Sequence, residues 1–329
     1  MKKDYLAILG AGNMGTALAV AAAKKNYVIL WSIEPDVVEA INKKRENPRY
    51  LAGVKLPKNI SATGDLKKAV SGASLILVAV PSQVVPSLGR SLGKLVKKNQ
   101  LIVNIAKGVH PKTLEPVVLT LGRALPAALR PQLATLSGPS IANEFSRGLP
   151  CAVVVAAKKL ETAEAAARYL RTDQFRIITS TDIIGTALGG TLKNVYALAL
   201  GMVDGLKLGL NAKATLLTAA LAEMRSILKS LGAEEKSAYA LSGIGDLVVT
   251  GTSEHSRNRG FGEALCLDAR SRVKMKDPTQ TIEGVKAVQS LAPFMRRKKI
   301  KAPILFSIER VLFKNQNPKN EIAKIFKNI

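Results

Sequence analysis

Three stretches of this 329-residue chain hold residues whose types and spacing could do chemistry. The first is Gly10-Ala11-Gly12-Asn13-Met14-Gly15, directly after the apolar run Tyr5–Leu9 and before the helix-forming Ala17–Ala23. In that setting Gly10 allows a tight turn and Gly12 lets backbone approach a pyrophosphate with no Cβ in the way. Gly15 lets the helix pack closely on the strand. The helix N-terminus behind the turn offers free N–H groups and a positive dipole end to an anionic cofactor. A purely structural glycine turn is the competing reading. The second stretch is Lys193-Asn194, in the middle of the apolar segment Ile183–Val203. Burial disfavours the charged amine and brings its pKa toward the range useful for proton exchange with a substrate oxygen. Equally open is a lysine whose stem lies along an apolar surface with its head in water. The third is Gly243-Ile244-Gly245-Asp246 with Ser256-Arg257-Asn258-Arg259 after it. Asp246 can orient an ammonium, Arg257 offers a planar fork for phosphate oxygens, and Asn258 adds an amide donor. Taken alone, that last string is more often a solvated loop than an anion site.

In a dinucleotide site, cofactor choice is made at the end of the second strand, here Trp31-Ser32-Ile33-Glu34. A carboxylate there accepts hydrogen bonds from the ribose hydroxyls of NAD, whereas a nearby arginine suits the 2′-phosphate of NADP. Glu34 is present with no arginine adjacent in the chain, so NADH is the expected preference. The alternative is that Glu34 only caps a helix opening at Pro35.

The elements that must position these residues are legible in outline. Tyr5–Leu9, Tyr27–Trp31, Leu75–Val80 and Leu101–Ile105 are continuous apolar runs of the kind that sheets covered on both faces require. Leu133–Leu136, Ala152–Val155 and Arg176–Thr179 extend or flank that sheet. Strands alternating with helices predict an α/β fold with a Rossmann-like doubly wound sheet over residues 1–181. From residue 182 to 329 Ala/Leu-rich segments replace the strands, which predicts an all-helical domain. There Leu217, Leu221, Met224, Leu228 and Leu231 form a core-facing stripe over Thr215–Leu231, and Gly232 stands where a C-terminal cap belongs.

Bulk composition narrows the function classes. With 47% hydrophobic residues and 4% aromatics the chain can bury two cores, and disorder is excluded. Ile183–Val203 has the length of a membrane span, but Lys193 at its middle costs roughly 3 kcal/mol on insertion scales. It reads as a buried helix, and no membrane span is expected. Two distant cysteines, Cys151 and Cys266, and an apolar start too short for a signal peptide suit the cytoplasm. The net charge of +25 suits nucleic-acid binding, attraction of an anionic substrate, or a basic bias spread over solvated surface. The basic residues thicken at Lys94–Lys98 and Arg296–Lys301 without interleaved aromatics, which favours the last. No metal site is expected.

These pieces, in this order, resemble the NAD(P)-dependent glycerol-3-phosphate dehydrogenases of the bacterial type. The resemblance spans nearly the whole chain: GAGNMGTALA from Gly10, VPS at Val80–Ser82, Lys107-Gly108, SGPS at Ser137–Ser140 and Glu144 after it. LGGTLKNVYALALGMVDG from Leu188, NAKA from Asn211, LAEM from Leu221, GIGDL, SRNRGFG and the IEG ending at Gly284 complete it. The resemblance implies reversible reduction of dihydroxyacetone phosphate to sn-glycerol 3-phosphate for phospholipid synthesis, with NAD or NADP as cofactor, in a homodimer. It implies Lys193 as catalytic acid/base, supported by Asp246 and Lys107. It puts Asn13, Met14, Ala142, Thr281 and Glu283 on the cofactor side with the glycines, Ile33 and Glu34. Lys107 and Arg257 contact cofactor and substrate. Gly138, Ser140, Asn194, Ser256 and Asn258 line the substrate pocket.

Two positions depart from the family pattern. Ile33 stands where a basic residue is frequent, and Thr281 replaces an aliphatic one. The runner-up within enzymes is a 3-hydroxyacid dehydrogenase or ketopantoate reductase, neither of which calls for a phosphate site at Ser256–Asn258. A nucleic-acid-binding protein on a retained dinucleotide fold is the alternative from another class, and no nucleic-acid partner is expected.

Overall fold

The computed structural model describes residues 5–110, 113, 115–267 and 282–328. Internal packing divides the chain into two compact units, Met1–Ala106 with Val117–Ile183, and Lys107–Pro116 with Ile184–Ile329. The expected boundary after residue 181 left residues 107–116 in the first domain. They pack with the second instead, where Val109 joins the apolar core.

The first unit is an eight-stranded sheet: β1 (Tyr5–Leu9), β2 (Tyr27–Trp31), β3 (Ile60–Thr63), β4 (Ala73–Val78), β5 (Leu101–Asn104), β6 (Leu133–Ser137), β7 (Cys151–Ala157) and β8 (Phe175–Ser180). The strand order is β3-β2-β1-β4-β5-β6-β7-β8, and every pairing is parallel except β6 with β7. The chain winds outward from β1 to β3, then crosses to β4 on the other side of β1. That reversal creates a crevice at the C-terminal ends of β1 and β4, the place where open α/β sheets bind ligands. β3 escapes a reading of apolar runs because only Ile60 of its four residues is buried. The helices of this unit are α1 (Asn13–Ala22), α2 (Pro35–Glu39), α3 (Leu66–Val70), α4 (Val85–Leu95), α5 (Val117–Ala124), α6 (Ala142–Phe145) and α7 (Leu160–Leu170).

The second unit contributes α8 (Ile183–Gly205), α9 (Gly209–Ser230), α10 (Asp246–Thr252), α11 (Arg257–Leu267), α12 (Glu283–Arg297), α13 (Pro303–Phe313) and α14 (Pro318–Lys327). α8 is long and apolar enough to cross a membrane, and 89% of its most apolar window is buried inside the protein, where Leu192, Val195, Tyr196 and Leu200 form the centre of the core. On α9 the buried face is rotated from the expected stripe. Leu216, Ala220, Met224, Ile227 and Leu228 are fully buried, whereas Leu217, Leu221 and Leu231 are only partly so. The rotation is explained by Glu223, a residue that apolar periodicity cannot count. It is buried because its carboxylate accepts the Ile304 and Leu305 N–H groups at 2.7 and 3.1 Å, capping α13. Gly232 (φ +74°) ends α9, with the Ala233 N–H returning to Leu228 O at 3.0 Å.

Candidate active site

In the first unit the expected cofactor residues follow the C-terminal ends of parallel strands. Gly10 (φ +112°) leaves β1, and a Cβ on Gly15 would lie 1.9 Å from the Gly10 carbonyl oxygen, so only glycine lets α1 start against the turn. Gly12 differs, because among the described residues nothing lies within 4 Å of where its Cβ would be. It precedes α1 without a side-chain cap, which leaves the N–H groups at Asn13, Met14 and Gly15 for an outside acceptor. An open cradle at a helix N-terminus fits the pyrophosphate of a dinucleotide. Gly138 (φ +151°) follows β6, where a Cβ would sit 2.8 Å from Val153 Cα, and Ser140 Oγ donates to Gly138 O at 3.1 Å. Ala142 is buried at the start of α6, which packs against α1.

At the end of β2, Ile33 is 79% exposed. Glu34 precedes α2 but makes no capping hydrogen bond with its side chain. Its Oε1 accepts from Tyr50 Oη at 2.7 Å and pairs with Arg49 Nη1 at 3.2 Å. Along the chain no arginine neighbours Glu34; in space Arg49 does. The hydrogen bond to Glu34 holds the Tyr50 phenol above its ordinary pKa, so it stays a donor.

In the second unit three charged side chains meet. Lys193 on α8 donates to Asp246 Oδ1, and Lys107 Nζ lies 2.5 Å from Asp246 Oδ2. Glycine makes the approach possible. Gly189 is one turn before Lys193, and a Cβ there would come within 2.7 Å of Ser242 O. The 241–245 turn therefore rests on α8 and delivers Asp246, first residue of α10, to Lys193. Thr191 holds the other lysine in place: its Oγ1 accepts the Gly108 N–H at 3.0 Å and donates to Ala187 O at 3.0 Å, tying the loop of Lys107 to α8. Thr191 lies within the string from Leu188, but nothing there assigns it a role, which depends on a loop more than eighty residues away.

The charge balance is uneven, with two ammonium groups facing one carboxylate. Lys193 is 8% exposed, and burial pushes its pKa down to about 8, opposed by Asp246 and reinforced by the Lys107 charge. Burial also acts to lower the Lys107 pKa, but the charge and hydrogen bond of Asp246 outweigh it and hold that amine above its ordinary value. Desolvation costs several kcal/mol per ion even after relaxation, so such a cluster is a poor stability device. What it provides is a buried amine whose pKa burial pushes down to about 8. The alternative of a solvated lysine head does not describe this side chain.

The neighbouring residue, Asn194, opens a second network. Its Nδ2 donates to Glu283 Oε2 at 2.9 Å and its Oδ1 accepts from Asn258 Nδ2 at 3.0 Å, while Gly284 N–H donates to Asn258 Oδ1 at 2.8 Å. Asn258 is thus buried with, among the described residues, one N–H left for another acceptor. The two arginines beside it differ. Arg259 is tied to Asp204 at 2.6 Å, which also takes Lys213 at 2.7 Å, and this anchors α11 to the end of α8. Arg257 is exposed, and no carboxylate pairs with it among the described residues. Ser256 Oγ accepts the Arg259 N–H at 3.3 Å, which orients the start of α11. Lys107, Lys193, Asn194, Asp246, Asn258 and Glu283 are therefore assembled in the second unit, and the glycine, Glu34 and Ser140 positions in the first. Thr281 lies outside the described residues.

Comparison with known proteins converges on one family. The description "NAD-dependent glycerol-3-phosphate dehydrogenase N-terminus" matches residues 5–163, and its C-terminal counterpart matches residues 182–323. The chain is 41% identical over 315 residues to glycerol-3-phosphate dehydrogenase [NAD(P)+] of Moorella thermoacetica, covering 95% of this chain and 93% of that protein. The protein of the same name from Fusobacterium nucleatum is 35% identical over 321 residues, covering 97% and 96% of the two chains. Among solved structures, glycerol-3-phosphate dehydrogenase from Coxiella burnetii superimposes with a TM-score of 0.90 at 33% identity, covering 98% of this chain and 99% of the other. The chain belongs to the NAD-dependent glycerol-3-phosphate dehydrogenase family, a family of NAD(P)-dependent oxidoreductases.

Proposed function

We propose that the chain is an sn-glycerol-3-phosphate dehydrogenase that reduces dihydroxyacetone phosphate reversibly, with Lys193 as the proton donor. The observation that carries this reading is the buried Lys193 amine, which shares Asp246 with Lys107 and whose pKa burial pushes down to about 8. When bound, NADH or NADPH supplies the hydride to the ketone carbon. Lys193 delivers its proton to the oxygen as negative charge develops there. Lys107 remains cationic and stabilises that charge, and Asp246 orients both amines. Arg257 and the remaining Asn258 N–H take the phosphate, while Asn194 and Glu283 hold Asn258 in place. Ser140 and Gly138 line the substrate side. The Gly10–Gly15 cradle holds the pyrophosphate, and Glu34 favours NADH.

The phosphorylated product suits a supply of glycerol phosphate for phospholipid synthesis. A cytoplasmic homodimer is the assembly we assign, supported by the family and, for the compartment, by two partly buried cysteines that form no disulfide with each other. The test is oxidation of NADH in the presence of dihydroxyacetone phosphate, repeated with NADPH and with unphosphorylated keto acids. Turnover of the phosphorylated ketone, absent with the keto acids, is expected. The reverse would replace this function with that of a ketopantoate reductase or 3-hydroxyacid dehydrogenase.

A further inference from the structure

The turn at residues 47–51 joins the two ends of the dinucleotide crevice in the first unit. At one end Asn47, fully buried, donates through Nδ2 to Ala11 O and to Thr16 Oγ1, both at 2.8 Å, which pins the turn to the glycine loop. At the other end Tyr50 and Arg49 hold Glu34 at the tip of β2. The turn therefore stands where the ribose next to the adenine must pass between the pyrophosphate cradle and the second strand.

Arg49 is the informative member. Its Nη1 pairs with Glu34 at 3.2 Å and with Asp36 at 3.4 Å, and its guanidinium lies over the Tyr50 ring at 5.5 Å. Its side chain is 54% exposed, and these contacts engage Nη1 alone, leaving the fork of Nε and Nη2 donors unspent among the described residues. A half-exposed guanidinium beside a ribose-reading carboxylate has the geometry and charge to receive a phosphate in two-pronged fashion. No cation stands at the Ile33 position to do so.

We propose that Arg49 sets cofactor discrimination in this chain. Its guanidinium receives the 2′-phosphate of NADP(H), Glu34 receives the 2′-hydroxyl of NAD(H), and the two side chains pair with each other otherwise. Arg49 thus gives the site a measure of NADPH use that Glu34 opposes. This inference rests on the reading of the first unit as the dinucleotide site.

The test is direct binding to the full-length protein. Titrations of NAD+ and NADP+ would be followed by fluorescence of Trp31, the single tryptophan, two residues before Ile33. Competition by adenosine 2′,5′-bisphosphate and by adenosine 5′-monophosphate isolates the 2′-phosphate. Arg49→Ala is expected to lower affinity for NADP+ and for the bisphosphate about tenfold more than for the 2′-hydroxyl partners, the scale of one charge-assisted hydrogen bond. Glu34→Gln is expected to move the ratio the other way. Arg49→Lys keeps the charge without the fork and should lower the ratio by a smaller factor, which carries the test if the alanine variant does not fold. Equal losses for both cofactors, or an unchanged ratio in every variant, overturn the role of Arg49 alone. Failure of the wild-type protein to bind either dinucleotide overturns the dinucleotide reading with it.

Discussion

The two units build their sites from different materials. In the first, the recognition we propose is mostly backbone: a glycine turn, the start of α1, and a further glycine after β6, all at strand ends. In the second it is mostly side chain, with Lys107, Lys193, Asn194, Asp246, Asn258 and Glu283 drawn from five separate segments. A backbone site is specified by local sequence, because absence of a Cβ and a change of element occur within a few residues. A side-chain site is specified by packing, since each partner is supplied by a different part of the fold. Damage should follow the same division. The second unit should lose chemistry while keeping its fold, and the first should lose affinity or fold, depending on which glycine is changed.

The largest effect expected is at Lys193. Lys193→Ala should lower turnover by about 10²–10⁴, the usual range for a general acid. Steady-state kinetics with dihydroxyacetone phosphate would measure it, and turnover near the wild-type level would remove Lys193 from the proton-transfer role. A contrast between two glycines then separates packing from binding in the first unit. Gly15→Ala meets the Gly10 carbonyl and should destabilise the protein by about 3 kcal/mol or more. Gly12→Ala meets nothing, so its melting temperature should hold while cofactor affinity falls about tenfold, one charge-assisted hydrogen bond. If both variants melt early, Gly12 is a packing residue and the cradle reading is wrong.

Arg257→Ala should raise KM for the phosphorylated ketone about tenfold to a hundredfold, again the scale of charge-assisted hydrogen bonds, with a smaller change in kcat. A KM that stays put would take Arg257 out of the phosphate site. The smallest effect concerns pH. Ketone reduction needs Lys193 protonated, so its rate should fall as pH rises through about 8, while the reverse reaction should rise over the same range. Asp246 is the group that raises the Lys193 pKa, so Asp246→Asn should move the inflection below 8. An inflection that stays in place or moves upward would contradict the electrostatic account of the cluster.

The residues that sequence reasoning missed share one property. Asn47, Arg49 and Tyr50 lie in no motif, Thr191 and Glu223 lie in matched strings that give them no role, and each acquires its role from a partner distant in the chain. Glu223 also shows why the buried face of α9 departs from its apolar stripe: a buried carboxylate that caps α13 counts as polar in any apolar pattern. The same limit explains the unexpected β3, whose edge position buries a single side chain.

What the sequence determined by itself was local and covalent in origin: the strand–glycine–helix turn, the continuous apolar strands, the change to helices after the sheet, and a lysine stranded in an apolar segment. These follow from steric freedom at glycine and from burial of apolar surface, which neighbouring residues decide among themselves. Tertiary structure decided the electrostatics. Whether Lys193 meets water or Asp246, whether Glu34 stands alone or against Arg49, and which of the two arginines flanking Asn258 pairs with a carboxylate among the described residues depend on distances between charges. Those distances are set by how segments far apart in the chain pack together.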